Sequence, residues 1–257
     1  MSKVPHPNDK KRTKDYQERQ KRQNGGESDR GNATLPQKES FLIFCVGKNT
    51  ERQYFEHFKT ATIEVACPPD AAGKDPLTMV ETVLECLPAY QAKLKLEKGE
   101  EYQHIWIVFD KDNFEDYNFN NAINKATAHG IKVAWSNQAF EYWFILHFMD
   151  HQGGGMHRDG YYDLINQHIG KYGEKYDKDS KNVSRKMFDI LAAINPDDNV
   201  KPKRTFRQLA WQRAKRIYEH HQQEGNTPAM SESCTTVFEL VALLDPTIAK
   251  DNAGKCS

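Results

Sequence analysis

The sequence predicts an α/β protein with a parallel sheet of four strands, flanked by helices and followed by a mostly helical C-terminal region. Two observations support this fold class. Short apolar runs alternate with stretches of helical periodicity between residues 39 and 150. The runs are apolar along their whole length, as is typical of parallel strands buried on both faces. Beyond residue 150 the strand-like runs stop and helical patterns dominate.

Each strand is expected where an apolar run ends in a Gly, Pro, Asp or Asn residue, and each helix where apolar residues recur every three or four positions. Asn49 or Thr50 is expected to cap the first helix. The predicted strands are FLIFCVG (41–47), TIEVAC (62–67), HIWIVFD (104–110) and IKVAWSN (131–137). The predicted helices between and after them are 48–61, 75–101, 118–130 and 140–150, and those of the C-terminal region are 161–170, 183–194, 205–223 and 235–244.

The chain is expected to divide into three parts. Residues 1–38 are polar, with nine Lys/Arg against five Asp/Glu in the first 30, and cannot bury enough apolar surface to offset their ordering entropy. We interpret them as a disordered basic arm. Residues 39–150 form the α/β domain, and residues 151–250 form either a helical cap on the sheet or a separate helical lobe.

Composition excludes several classes of protein. The 257 residues include no apolar run long enough for a transmembrane helix, and the N-terminus lacks the apolar stretch of a signal peptide. The five cysteines are scattered without a C-x-x-C pair, which argues against a zinc ribbon or a disulfide scaffold. We therefore expect a cytoplasmic protein with no membrane partner.

Acidic residues follow three of the predicted strands. Glu51 opens the helix after the first strand, Asp110 and Asp112 follow the third, and Glu141 opens the helix after the fourth. Ligand sites of open parallel sheets form at the carboxyl ends of the strands. These four carboxylates are therefore the candidate catalytic residues.

Each carboxylate also has an ordinary structural explanation. Asp110 and Asp112 favour a turn, but two adjacent carboxylates repel and a divalent cation relieves the repulsion; hard oxygen ligands suit Mg²⁺ or Mn²⁺. Glu51 complements the dipole of its helix without any further role. Glu141 either caps its helix or lies at a cleft, because a carboxylate within an apolar segment needs a partner.

Taken together, the pattern strand–G-x-x-T-E–helix followed by strand–D-x-D resembles the Toprim domain of topoisomerases, primases and nucleases. More narrowly, the chain resembles the RloB-like family, a Toprim-related group associated with bacterial defence. The segments that carry this resemblance are GKNTERQYF (47–55), VFDKDNF (108–114), SNQAFEYWFILHF (136–148) and CTTVFELVALL (234–244).

The resemblance implies that the first and third strands are neighbours, so that Glu51 faces Asp110 and Asp112. It also implies Mg²⁺-dependent hydrolysis of DNA or RNA, possibly tRNA, with these three residues as metal ligands or with Glu51 as general base. An effector in antiviral defence is the implied role, under a regulatory protein or ligand of the defence locus. The alternative is a non-catalytic nucleotide-binding sensor or a protein-interaction subunit of a defence complex.

Residues that would contact a nucleic-acid substrate are basic or lie beside the acidic cluster. Residues 201–216 contain seven Lys/Arg and no acid, which is typical either of a phosphate-binding surface or of a solvated helix face. Trp211 within this segment is available for stacking on a base. The candidate substrate contacts are Lys48, Ser136, Asn137, Lys203, Arg204, Arg207 and Lys215.

Overall fold

The structure is a computed structural model that describes residues 38–151 and 155–248. Apolar runs form the five strands of its sheet: β1 (Glu39–Cys45), β2 (Ile63–Ala66), β3 (His104–Asp110), β4 (Lys132–Asn137) and β5 (Cys234–Thr235). The α-helices of this part of the chain are α1 (Thr50–Glu56), α2 (Pro76–Lys98), α3 (Asp116–Ala128), α4 (Glu141–Phe148), α5 (Tyr161–Ile169), α6 (Arg185–Ala192), α7 (Phe206–Gln223) and α8 (Val237–Leu244). The predicted α/β class is therefore confirmed.

The strands are arranged in the order β2-β1-β3-β4-β5. The first four are parallel, as predicted, and β1 pairs directly with β3. The sheet has one strand more than the sequence predicts, because the two-residue β5 adds to β4 in the antiparallel direction. The chain leaves β1 for β2 on one side and returns to β3 on the other, which places the topological switch point between β1 and β3.

Aromatic packing joins the helices to the sheet. Phe109 of β3 and Trp135 of β4 both lie edge-on to Phe119 of α3. In a second cluster, Tyr54 of α1 packs against Phe144 of α4 and other rings. In the C-terminal region α7 packs along α4, and α8 packs on α7 and β4. These helices thus contribute to the same core as the strands.

The first helix is shorter than predicted and is held by residues distant in sequence. Asn49 occupies its N-cap position, but the Asn49 side chain donates to the carbonyl of Ser180 instead of capping the helix. The Thr50 hydroxyl bonds to Tyr176 and to the carbonyl of Lys181. The loop that precedes α1 is therefore fixed by the segment between α5 and α6.

Two expectations concern other properties of the chain. The predicted basic arm falls on residues 1–38, of which only Lys38 belongs to the described residues. No helix between residues 38 and 151 or between 155 and 248 is long and apolar enough to span a bilayer.

Candidate functional site

A cavity of about 430 Å³ opens where β1 and β3 end. Its walls come from the loop after β1, the turn after β3, the start of α4 and the segment between α5 and α6. The side chains that matter chemically are Lys48, Glu51, Lys74, Asp110, Asp112, Glu141, Arg158 and Lys181. The structure therefore brings all four predicted catalytic carboxylates and Lys48 to one cavity.

Glu51 reaches the cavity from the first turn of α1 and is 4% exposed. Its carboxylate lies over the backbone of Gly47, where an added Cβ would be only 1.7 Å from Glu51 Oε2. Burial raises the pKa of Glu51 to about 7, and the negative charge of Glu141 acts in the same direction. Glu51 thus exchanges a proton near neutral pH.

Asp110 is the last residue of β3; the residue as a whole is half-buried, but Oδ1 of its carboxylate is buried. Among the described residues, no group donates a hydrogen bond to Asp110 Oδ1. Burial raises the pKa of Asp110 well above its usual range, and the charges of Glu51 and Glu141 raise it further. An unpartnered buried carboxylate oxygen is costly in the absence of a ligand, so this atom is the strongest sign of a binding site here.

Asp112 lies two residues beyond Asp110, in the turn after β3. Its φ is 46°, in the left-handed region that Asp tolerates better than most residues. Its backbone N–H donates to the carbonyl of Gln138, and its side chain forms an ion pair with Arg158. Side chains two residues apart in a strand point to the same side, but β3 ends at Asp110 and this alternation does not extend to Asp112. Both aspartates nevertheless line the cavity.

Glu141 is the first residue of α4 and is also buried. The hydroxyls of Tyr176 and Tyr162 donate to Glu141 Oε1 over 3.0 Å and 3.3 Å. The Tyr176 hydroxyl also lies 2.6 Å from the Thr50 hydroxyl. The partner that the sequence demands for this carboxylate is therefore a pair of tyrosines.

Lys181 and Arg158 bring positive charge to the same cavity. Lys181 has a φ of 50°, and its backbone is held by hydrogen bonds to Asp177 and Thr50. Burial lowers the pKa of Lys181, but Glu141 and Tyr162 together raise it by more, so the net shift is upward. Arg158 lies in a single 3-10 turn and Lys181 in a loop, neither of which has a periodic pattern, so no signal in the sequence identifies them.

Ser136 and Asn137 lie at the end of β4, next to the turn that follows β3, but do not line the cavity. The Ser136 hydroxyl bonds to the Thr235 hydroxyl, and Asn137 donates to the carbonyl of Ala229. Both side chains are buried. They fasten the C-terminal segment to β4 and are not available for the substrate contact that the sequence predicts for them.

The remaining predicted substrate contacts lie elsewhere. Arg207 is 4% exposed, pairs with Asp245 over 2.8 Å, and lies over the rings of Phe58 and Phe188. It is a core residue, which corrects its assignment as a substrate contact, because a buried and paired guanidinium cannot reach a phosphate.

Lys203, Arg204 and Lys215 remain near the surface but do not line the carboxylate cavity. Lys203 donates to the carbonyl of Pro196, and Arg204 pairs with Asp198. Arg204 and Lys215 line a second cavity.

The donors of the carboxylate cavity are of the type that a hard divalent cation prefers. The cavity offers several carboxylates, and one buried oxygen, Asp110 Oδ1, has no partner within residues 38–151 and 155–248. The same ranges contain no group of three His, Cys, Asp or Glu side chains already arranged to hold a metal. The donors suit Mg²⁺ or Mn²⁺, although Asp112 is engaged with Arg158.

Comparison with known proteins identifies the family of the chain. A family model described as RloB-like protein matches residues 41–244, more than half of the chain. No curated protein and no solved structure matches significantly.

Proposed function

The chain belongs to the RloB-like family, and from this premise we propose that it is a Toprim-type, metal-dependent nuclease that hydrolyses phosphodiester bonds of DNA or RNA. The observation that carries the proposal is the convergence of Glu51, Asp110, Asp112 and Glu141 on one cavity at the β1–β3 switch point. Open α/β sheets bind their ligands at this position.

Asp110 and Asp112 are the residues that would hold Mg²⁺ or Mn²⁺. When bound, such an ion polarises a phosphoryl oxygen and makes an attacking water more acidic. Asp110 Oδ1 has no competing donor among the described residues. Asp112 becomes available when Arg158 turns from it to another anion, and a substrate phosphate is such an anion.

Glu51 is the proposed general base. A base works best when its pKa lies close to the working pH, and burial brings the pKa of Glu51 to about 7. Its carboxylate would accept the proton of the attacking water. Glu141, held by Tyr176 and Tyr162, adds negative charge that supports this pKa.

Lys181, Lys48 and Arg158 supply the positive charge that a phosphodiester requires. All three line the cavity, and a cation close to a phosphoryl oxygen stabilises the charge that develops during hydrolysis. Lys181 is the best placed, because two backbone hydrogen bonds fix its loop beside Glu51.

A second candidate function is nucleotide binding without catalysis, as a sensor or interaction subunit. The ion pair between Asp112 and Arg158 favours nucleotide binding. A pocket that contains both carboxylates and cations binds the phosphates of a nucleotide through the cations. Both functions suit an effector of antiviral defence in the cytoplasm, controlled by another protein or ligand.

The two functions are separated by incubating the protein with single- and double-stranded DNA and RNA, including tRNA, with Mg²⁺, Mn²⁺ or EDTA. We expect cleavage that requires the metal and is lost in Asp110→Asn. Binding of nucleic acid or nucleotide that persists in Asp110→Asn, without cleavage by the wild type under any condition, would establish the second function instead.

A further inference from the structure

A second cavity, of about 730 Å³, lies at the far end of α4 from the carboxylates. Glu141 opens α4, while Arg213, in the wall of the second cavity, donates to the carbonyls of Leu146 and His147 in its last turn. Five or six helical residues separate these positions, which corresponds to roughly 8 Å along the axis. α4 is buried from Glu141 to His147, so this separation is a distance through the core and not along the surface.

The walls of this cavity carry an excess of positive charge. Four cations and one carboxylate, Asp150, line it; the cations are Arg204, Arg213, Lys215 and Arg216. Asp198 pairs with Arg204, and Asp150 pairs with Arg216. Lys215 forms a longer pair with Glu219, over 3.6 Å.

Arg213 and Lys215 are therefore the least tightly paired of the four cations. Within the described residues Arg213 forms no salt bridge, and its guanidinium donates only to backbone carbonyls. Burial lowers the pKa of Arg213, and the more distant charge of Asp150 only partly offsets this effect. Lys215 lies 3.6 Å from Glu219 and 5.2 Å from the centre of the Trp211 ring.

The cavity also has an aromatic and aliphatic side. Trp211 lines it together with Val200, Pro202 and Leu209. A ring beside several cations is the combination by which proteins hold single-stranded nucleic acid, because the bases stack and the phosphates pair with the cations. An acidic protein segment would use the cations but would have no need of the indole.

We propose that this second cavity binds a phosphate and its neighbouring base in a single strand of nucleic acid. The proposal rests on the proposed function in one respect, namely that the bound strand is also the substrate. It assigns binding to Arg213, Lys215, Arg216 and Trp211, whereas the sequence pattern also suggests Lys203, Arg204 and Arg207.

The test measures binding in EDTA, so that cleavage plays no part. Fluorescence anisotropy follows labelled single-stranded DNA and RNA of roughly 12 nucleotides. The variant is Lys215→Gln/Arg216→Gln; both changed side chains are substantially exposed, so we expect the fold to be retained. The matched control is Lys132→Gln/Arg185→Gln. Lys132 lies over the Trp106 ring as Lys215 lies over Trp211, and Arg185 pairs with a carboxylate as Arg216 does.

We expect the variant to bind at least about 10-fold more weakly at low salt, with the slope of log affinity against log salt reduced by roughly 0.7 for each phosphate that the variant no longer neutralises. The control binds as the wild type does. Trp211→Leu weakens binding with little change in the salt slope. Free mononucleotide is expected to compete only weakly, because the ligand is a strand. Strong competition by the mononucleotide would show that the ligand is a single nucleotide.

Equal binding by the variant and the wild type would overturn the proposal. So would equal competition by polyglutamate of the same charge, because the cavity would then be a general anion surface. If the wild type cleaves nucleic acid and the variant binds as the wild type does, this inference is wrong but the proposed function stands. If the variant binds more weakly and the wild type does not cleave, the inference stands and the proposed function is wrong.

Discussion

The carboxylate of Glu51 occupies the space that a side chain at Gly47 would need: a Cβ there would lie 1.7 Å from Oε2. The site can therefore be disturbed from the backbone without changing an acidic residue. The obstructing atoms are the far end of a flexible side chain, so they can move aside without disrupting the core.

Gly47→Ala is expected to move the Glu51 carboxylate out of place. Activity should fall about 100-fold or more, as for loss of a general base, while the free energy of unfolding changes by less than about 1 kcal/mol. Metal-dependent cleavage and thermal unfolding are the measurements. Gly170→Ala is the control, since no atom lies within 4 Å of the added Cβ there. Full activity in Gly47→Ala would contradict the role of Glu51.

Asp110→Asn is expected to stabilise the metal-free protein while abolishing activity. The folded protein raises the pKa of Asp110 well above 3.8, so the unfavourable charged form is populated only as pH rises. Removing that charge should stabilise the protein by about 1–3 kcal/mol at pH 8, and the difference should vanish below pH 4, where both folded and unfolded chains bind the proton. Thermal unfolding in EDTA at both pH values measures this. Destabilisation at pH 8 would show that the carboxylate is satisfied.

Glu51→Gln tests a titration near pH 7. Because the pKa of Glu51 rises from 4.5 to about 7 on folding, the folded state holds the extra proton between these values. Stability of the metal-free wild type should therefore fall by roughly 3 kcal/mol across this window, and Glu51→Gln should lack that fall. Unfolding by urea at several pH values gives the comparison.

The same substitution separates two roles for Glu51. If Glu51 is the base, the wild-type rate rises tenfold per pH unit up to about pH 7. The variant then loses this limb of the pH profile but still binds Mn²⁺. Loss of Mn²⁺ binding in Glu51→Gln would make Glu51 a metal ligand instead.

Lys181→Asn is expected to weaken substrate binding with little net change in stability. Asn adopts the left-handed conformation at φ 50° more readily than Lys, which offsets the lost attraction to Glu141, so the free energy of unfolding should change by less than about 1 kcal/mol. Loss of the cation should raise KM about 10-fold. Steady-state kinetics measure it, and Lys178→Asn, an exposed position in the same segment, is the control. An unchanged KM would remove Lys181 from the site.

Arg158→Gln is expected to release Asp112. The Arg158 guanidinium pairs with the Asp112 carboxylate, so it competes with a metal for the same oxygen. The Mg²⁺ concentration for half-maximal activity should fall several-fold, while Asp112→Asn should raise it. Titration of activity with Mg²⁺ decides the matter. A higher Mg²⁺ requirement in Arg158→Gln would show that this arginine organises the site.

The carboxylate positions follow from the sequence because they depend on local patterns and one rule of topology. Continuous apolar runs mark β1 and β3, and the residues after parallel strands meet at one edge of the sheet. Glu51, Asp110 and Glu141 are therefore found without a structure. The β1–β3 pairing itself is implied only by the family resemblance, and the structure confirms it.

Tertiary packing alone decided the remainder. Lys181 and Tyr176 reach the site through hydrogen bonds to Thr50, more than 120 residues away, and Arg207, basic in an exposed-looking segment, is buried against Phe58 and Asp245. Periodicity records which face of an element is apolar, but not which distant loop or ring will lie against it. That choice is made by the packing of the whole core, and so it is visible only in the folded molecule.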